Sequence, residues 1–190
     1  FSSIVALSNK LDTLMGLFSI DMIPTGSRDP FGLRRAAAGI VKICIEHQLH
    51  LDLEKVIDST IANYPNLDKS KLIEFFNERL FKIYSNINPS VVKAVLATKE
   101  RDILELTKKL EALNPIVESS DFKEYSSTFK RVANIIKDID TDKELNVNTA
   151  LFEDNAEKIL FASYENVINK EYKSYDEKLD ALFSLKPQLD

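Results

Sequence analysis

A chain of 190 residues, 44% of them hydrophobic, holds enough apolar material for one large or two small cores, which excludes disorder along the whole length. With 30 acidic against 25 basic residues the formal net charge is -5, so any contact with a polyanion has to come from a local basic face. The single cysteine, Cys44, allows no internal disulfide and fits a reduced, cytoplasmic compartment, and no apolar run is long enough for a membrane span.

All four glycines (Gly16, Gly26, Gly32 and Gly39) fall near the start of the chain. The remainder lacks the residue that tight hairpins favour, which predicts an all-α protein of helices joined by polar loops. Ile4, Leu7, Leu11, Leu14, Met15 and Phe18 fall on one face of a first helix over about 3–18. That face begins almost at Phe1, which is not an initiator methionine, and so points to a segment of a longer chain. Pro24, Gly26 and Ser27 then break the helix.

A second helix is expected over about 30–47, with Asp29 as its cap and Pro30 at its first position, where the missing N–H costs nothing. Its apolar stripe is Leu33, Ala37, Ile40, Val41 and Cys44. A third starts after Asp52, turns Leu53, Val56, Ile57, Ile61 and Tyr64 inward, and stops before Pro65. Asp68 caps a longer helix whose apolar surface (Leu72, Phe75, Phe76, Leu80, Tyr84 and neighbours) is broad enough for a central core element. Asn88 and Pro89 restart the chain, and residues 85–89 are the expected domain boundary.

Beyond it, Val91, Val92, Val95 and Leu96 mark a short helix, and Ile103, Leu106, Leu110 and Leu113 mark another that is expected to halt at Asn114-Pro115. A helix over about 120–139 places Phe122, Tyr125, Phe129, Val132, Ala133 and Ile136 on its apolar face. Lys123, Lys130, Asn134 and Lys137 line a different face. Residues 138–148 read as an acidic loop. A further helix is expected to bury Phe152, Ala156, Ile159, Leu160, Tyr164 and Val167. Ser174 and Glu177 form a capping-box pattern ahead of a last helix that ends at Pro187.

Chemistry-bearing patterns are few. Cys44, His47 and His50 lie close together, but three ligands without a cysteine pair make a poor zinc pattern, so the expected reading is a buried thiol and two histidines at a helix end, with no metal. No phosphate-cradling glycine loop exists, and no carboxylate pair is singled out for acid-base work, so no catalytic residue is assigned. The stripe Lys123, Lys130, Asn134 and Lys137, with Arg131 beside it, fits either a solvated helix face or an RNA grip, in which lysines meet phosphates and Asn or Arg meets bases. Arg28, Arg34 and Arg35 fit either pairing with Asp29 or Asp12 or contact with phosphate.

Two longer stretches carry more information: Lys10-Leu11-Asp12-Thr13-Leu14, and Pro24-Thr25-Gly26-Ser27-Arg28-Asp29-Pro30-Phe31 followed by Leu33-Arg34-Arg35-Ala36-Ala37. Together with residues 89–96 and the run Phe129-Lys130-Arg131-Val132-Ala133-Asn134-Ile135, they resemble the β subunit of the bacterial two-subunit glycyl-tRNA synthetase. The likeness covers nearly the whole chain. Gly32 replaces the family's usual alanine, and Ser19 and Asp21 stand where glycines are common. Family members continue past the position of Asp190, so the segment is expected to be trimmed there.

The resemblance implies two packed helical subdomains. Residues 1–87 would close an HD-like and connecting body, and residues 88–190 would form an anticodon-binding domain similar to that of arginyl-tRNA synthetase. It implies glycine tRNA and the catalytic α subunit as partners, in an assembly of two α and two β chains without a membrane. ATP and glycine serve the whole ligase, and no cofactor is expected in this segment. It favours RNA contact for Lys123, Lys130, Arg131, Asn134 and Lys137, and adds Arg28, Arg34 and Arg35 as candidates. Two other readings compete. An HD-type metal phosphohydrolase needs a His-Asp pair, and neither His47 nor His50 is followed by Asp. A helical scaffold for α-subunit assembly predicts instead an exposed apolar patch.

Overall fold

The computed structural model describes residues 2–98, 100–139 and 147–190, and these are helical, with no strand among them. They form two compact units, residues 1–114 and 115–190. The boundary expected at residues 87–88 lies inside the first unit, so compactness does not mark it.

In the first unit, α1 (Ser2–Ser19) lays Leu7, Leu11, Leu14, Met15 and Phe18 against α2 (Leu33–Glu46), whose Leu33, Ala37, Ile40, Val41 and Cys44 are fully buried. Ile4, assigned to the same face, is instead 60% exposed. α3 (Leu53–Thr60) is short, because the chain tightens into a 3₁₀ turn over Ile61–Asn63 that leaves Ile61 exposed. α4 (Lys69–Ile83) is central, as its breadth of apolar residues predicted: it packs against α2, α3 and α5 (Pro89–Ala97). Phe75 meets the edge of Phe18 at 5.2 Å between ring centres. Each fully buried Leu or Ile here contributes about 1.5–3 kcal/mol relative to exposure.

The caps read from the sequence at Asp68 and Asn88 are present, and Asp52 supplies another ahead of α3. Asp52 accepts the N–H of Lys55 at 3.0 Å, Asp68 that of Lys71 at 3.1 Å, and Asn88 that of Ser90 at 2.9 Å. The start of α2 differs from expectation. Pro30 and Phe31 form a turn, closed by the Gly32 N–H on the Asp29 carbonyl, and the helix begins at Leu33. Gly32 has φ 68°, which glycine adopts without steric cost and which leaves the cap position without a side chain. Asp29 supplies the cap from upstream, accepting the N–H groups of Leu33 at 2.8 Å and Arg34 at 3.1 Å. Asp21 also sits at positive φ (58°), a conformation that Asp tolerates better than most side chains.

α6 (Ile103–Glu118) does not stop at Asn114-Pro115; Pro115 lies in its last turn, where losing one N–H interrupts the helix less than it would mid-length. In the second unit, α7 (Phe122–Ile136) and α8 (Asn155–Ile168) both pack on α10 (Lys186–Leu189), and α8 also meets α9 (Tyr175–Phe183). Ser174 caps α9, accepting the N–H of Glu177 at 3.3 Å, but the Glu177 carboxylate takes the N–H of Lys173 at 3.0 Å, so the expected box does not close on Ser174. A full capping box, Asp154 with Glu157, opens α8. Pro187 does not end α9, which finishes at Phe183; it sits in the first turn of α10. The burial expected for α8 is not met either: Phe152 precedes the helix, Ala156, Ile159 and Tyr164 are exposed, and Val167 is buried. Seven positions of the expected acidic loop, 140–146, lie outside the described residues.

Candidate nucleic-acid interface

α7 carries the candidate basic face. Lys123, Lys130, Asn134 and Lys137 are all exposed, and among the described residues no ion pair involves any of the three lysines. Their seven-residue spacing brings each nearly back to the same side of the helix, about 10.5 Å further along its axis. The result is a row of uncompensated positive charge on an otherwise acidic chain.

Arg131, one position round the helix, is placed differently. Its guanidinium is paired with the carboxylate of Asp190, which also accepts the hydroxyl of the buried Thr128 at 2.7 Å and the ammonium of Lys186. Lys186 in turn lies 2.7 Å from Glu124. The bonds from Lys186 and then Thr128 hold Asp190 below the usual carboxylate range, and the bonds to Asp190 and then Glu124 push Lys186 up. The fork of Arg131 is therefore already engaged inside the unit, although 56% of its side chain remains exposed.

Beside the lysine row the structure shows a feature that periodicity alone assigned to the core. Tyr125 stacks on Phe183 at 4.5 Å, and Phe129 meets the same ring edge-on at 5.6 Å. These rings, with Phe122, Ser126, Lys130 and Ala133, line an open cleft of about 320 Å³. Tyr125 and Phe183 also line a second cleft of about 400 Å³ with Pro115, Ile116 and Ser119. All four aromatic side chains are half-buried. The signal available in the sequence was the share of aromatics on this face.

The arginine group lies in the first unit. Arg34 donates to the carbonyl of Gly26 at 2.7 Å and so ties the loop to α2. The Arg35 guanidinium lies over Gly32, within 3.0 Å of where a Cβ would stand. Arg28 closes a tight turn through its backbone N–H to the Thr25 carbonyl at 2.9 Å and lends its side chain to a small cleft with Met22, Pro24 and Phe31. Neither suggested acid pairs with them: Asp29 caps α2, and Asp12 accepts the hydroxyl of Tyr64 at 2.6 Å.

Cys44 is fully buried; burial, with the Asp102 charge adding to it, pushes its thiol up to about 11. His50 points its Nδ1 at Asp102 (3.3 Å) and Glu105 (3.8 Å). Among the described residues no group of three or more His, Cys, Asp or Glu is arranged to hold a metal ion, and no helix is long and apolar enough to cross a membrane.

The model of the family described as glycyl-tRNA synthetase beta subunit matches residues 1–97. The chain is 37% identical to the glycine–tRNA ligase beta subunit of Helicobacter pylori strain G27 over 197 residues, covering all of this chain and 28% of that protein. It is 36% identical to that of Solidesulfovibrio magneticus (99% of this chain, 30% of that protein) and 31% identical to that of Clostridioides difficile (98% and 28%). The chain thus spans under a third of the length of these curated relatives.

Proposed function

Because the chain belongs to the glycyl-tRNA synthetase beta subunit family, we propose that it is the tRNA-gripping part of such a β subunit and holds the anticodon arm of glycine tRNA while the α subunit forms the aminoacyl bond. The observation that carries this reading is the row of exposed lysines on α7, in no ion pair among the described residues. Lysines so placed neutralise phosphates without a preceding ion pair to break. Asn134, exposed on the same face, reaches base edges, and Arg131 joins once RNA phosphate competes with Asp190 for it. The binding is positioning energy rather than bond chemistry: ATP and glycine are used by the whole ligase, and this segment supplies no catalytic group.

On this reading residues 88–190 act as an anticodon-binding domain of the arginyl-tRNA synthetase kind, and residues 1–87 close the HD-like body. Arg28, Arg34 and Arg35 hold the loop of residues 24–32 in shape, with Arg28 and Arg35 exposed to a phosphate and Arg34 half-buried. The chain works in the cytoplasm within an assembly of two α and two β subunits. The test is the quadruple change of Lys123, Lys130, Arg131 and Lys137 to Ala in the full-length β chain, titrated with glycine tRNA. Weaker binding with unchanged α-subunit assembly supports the reading; unchanged affinity refutes it.

One observation favours a second reading. Ile135 (76% exposed), Leu151 (73%), Ile168 (52%) and Ile159 (49%) leave apolar surface uncovered in the second unit. That is what a scaffold for α-subunit assembly predicts. Replacing Ile135 and Leu151 by Ser discriminates: the scaffold reading expects lost assembly, and the RNA reading expects retained assembly and tRNA binding.

A further inference from the structure

We propose that the aromatic cleft between α7 and α9 seats an unstacked nucleobase of the bound RNA. The inference rests on the RNA-binding reading above and names the subsite that reads or clamps a base. Three rings from α7 and Phe183 from the end of α9 converge on a cleft of about 320 Å³ that opens to solvent. Tyr125, Phe129 and Phe183 hold one another in stacked and edge-on contacts, so their faces are oriented before any ligand arrives and little side-chain freedom is lost on binding.

Charge identifies the occupant. Lys130 lines the cleft itself, and Lys123 and Lys137 continue its line along the helix, none of them in an ion pair among the described residues. The nearest acid on the helix, Glu124, is held by Lys186. An apolar, aromatic slot beside a track of free ammonium groups suits a ligand that is planar and apolar in one part and polyanionic in the adjoining part. A single-stranded RNA loop has that combination: the backbone follows the lysines and a splayed base enters the slot, where aromatic stacking is tolerant of base identity. The Ser126 hydroxyl, at the cleft wall, offers one polar contact to a base edge.

The experiment uses the full-length β chain and anticodon stem-loop RNAs of glycine tRNA carrying 2-aminopurine at each loop position in turn. Ala133 is exposed on the cleft wall, so Ala133→Phe fills the slot without touching the core. The expected result is fluorescence quenching at one or two loop positions, lost in Ala133→Phe, with affinity reduced by roughly five- to a hundredfold and the salt dependence unchanged. An abasic residue at a quenched position weakens wild-type binding by the same factor and weakens Ala133→Phe no further. RNA that binds with no position quenched, or abasic RNA that binds wild type as tightly as the intact loop, overturns the cleft while leaving the RNA reading in place. Absence of any RNA binding overturns both. Should Ala133→Phe fail to fold, the abasic arm on the wild-type chain decides alone.

Discussion

Replacing Asp29 by Ala tests how the loop of residues 24–32 is coupled to the first core. The carboxylate accepts two backbone N–H groups at the open end of α2, at 2.8 and 3.1 Å, and Gly32 at the cap position has no side chain to take over. A lost cap typically costs about 1 kcal/mol and up to about 2, and removing a negative charge from a helix N-terminus adds about 0.3–1 kcal/mol. Because Asp29 is only half-buried, water recovers part of this, and about 1.5 kcal/mol is expected. With a urea slope of about 2 kcal/mol/M the midpoint falls by roughly 0.5–1 M, followed by the α-helical circular dichroism signal. Asp29→Asn, which keeps one acceptor and loses the charge, falls between the two. An alanine variant within about 0.3 kcal/mol of wild type would show that the two bonds do not hold the helix start, and the reasoning about the displaced cap would fail.

Two further outcomes follow from buried or bonded titratable groups. Cys44 is fully buried with its thiol pushed up to about 11, so a thiol reagent at pH 8 labels the folded chain only as fast as it unfolds. The thiol's value is raised on folding, so its contribution to stability is complete below about pH 9 and is lost as pH rises towards 11; rapid labelling of the native chain would contradict the placement of α2. Glu100 is held below the usual glutamate range, first by Lys109 and also by the N–H groups of Arg101 and Asp102 at 2.9 and 3.0 Å. A lowered carboxylate contributes stability above its unfolded value and loses it as pH falls, so urea midpoints should drop between about pH 5 and 3, less steeply in Glu100→Gln. Parallel slopes for the two chains would remove Glu100 from the account.

Local chemistry was legible wherever it is encoded within one turn. Asp68, Asn88 and Ser174 cap as their positions in the sequence say, because a cap needs only a side-chain oxygen and the next few N–H groups. The start of α2 was not legible: Asp29-Pro30 carries a valid cap signal, and nothing short of the backbone shows that Gly32 turns to positive φ and delays the helix by a turn. Periodicity reported most of the burial of α1, α2 and α4, since α2 packs against both of the others. It overstated burial in α7 and α8, where an apolar face has too few partners to cover it. At the candidate interface the three lysines were readable as a stripe. The capture of Arg131 by Asp190, 59 residues away, and the joining of Phe183 to the α7 rings are long-range contacts that no spacing rule contains.

The most direct measurement is the salt dependence of glycine tRNA binding by the full-length β chain, compared with its Lys123→Ala, Lys130→Ala, Lys137→Ala triple variant. Each phosphate contact to single-stranded RNA steepens the plot of log affinity against log salt by about 0.7, so the variant's slope should be shallower by about 2, with unfolding midpoints unchanged because none of the three lysines is in an ion pair among the described residues. Equal slopes for the two chains would mean that these lysines meet no phosphate, and that α7 is not the surface that holds the RNA.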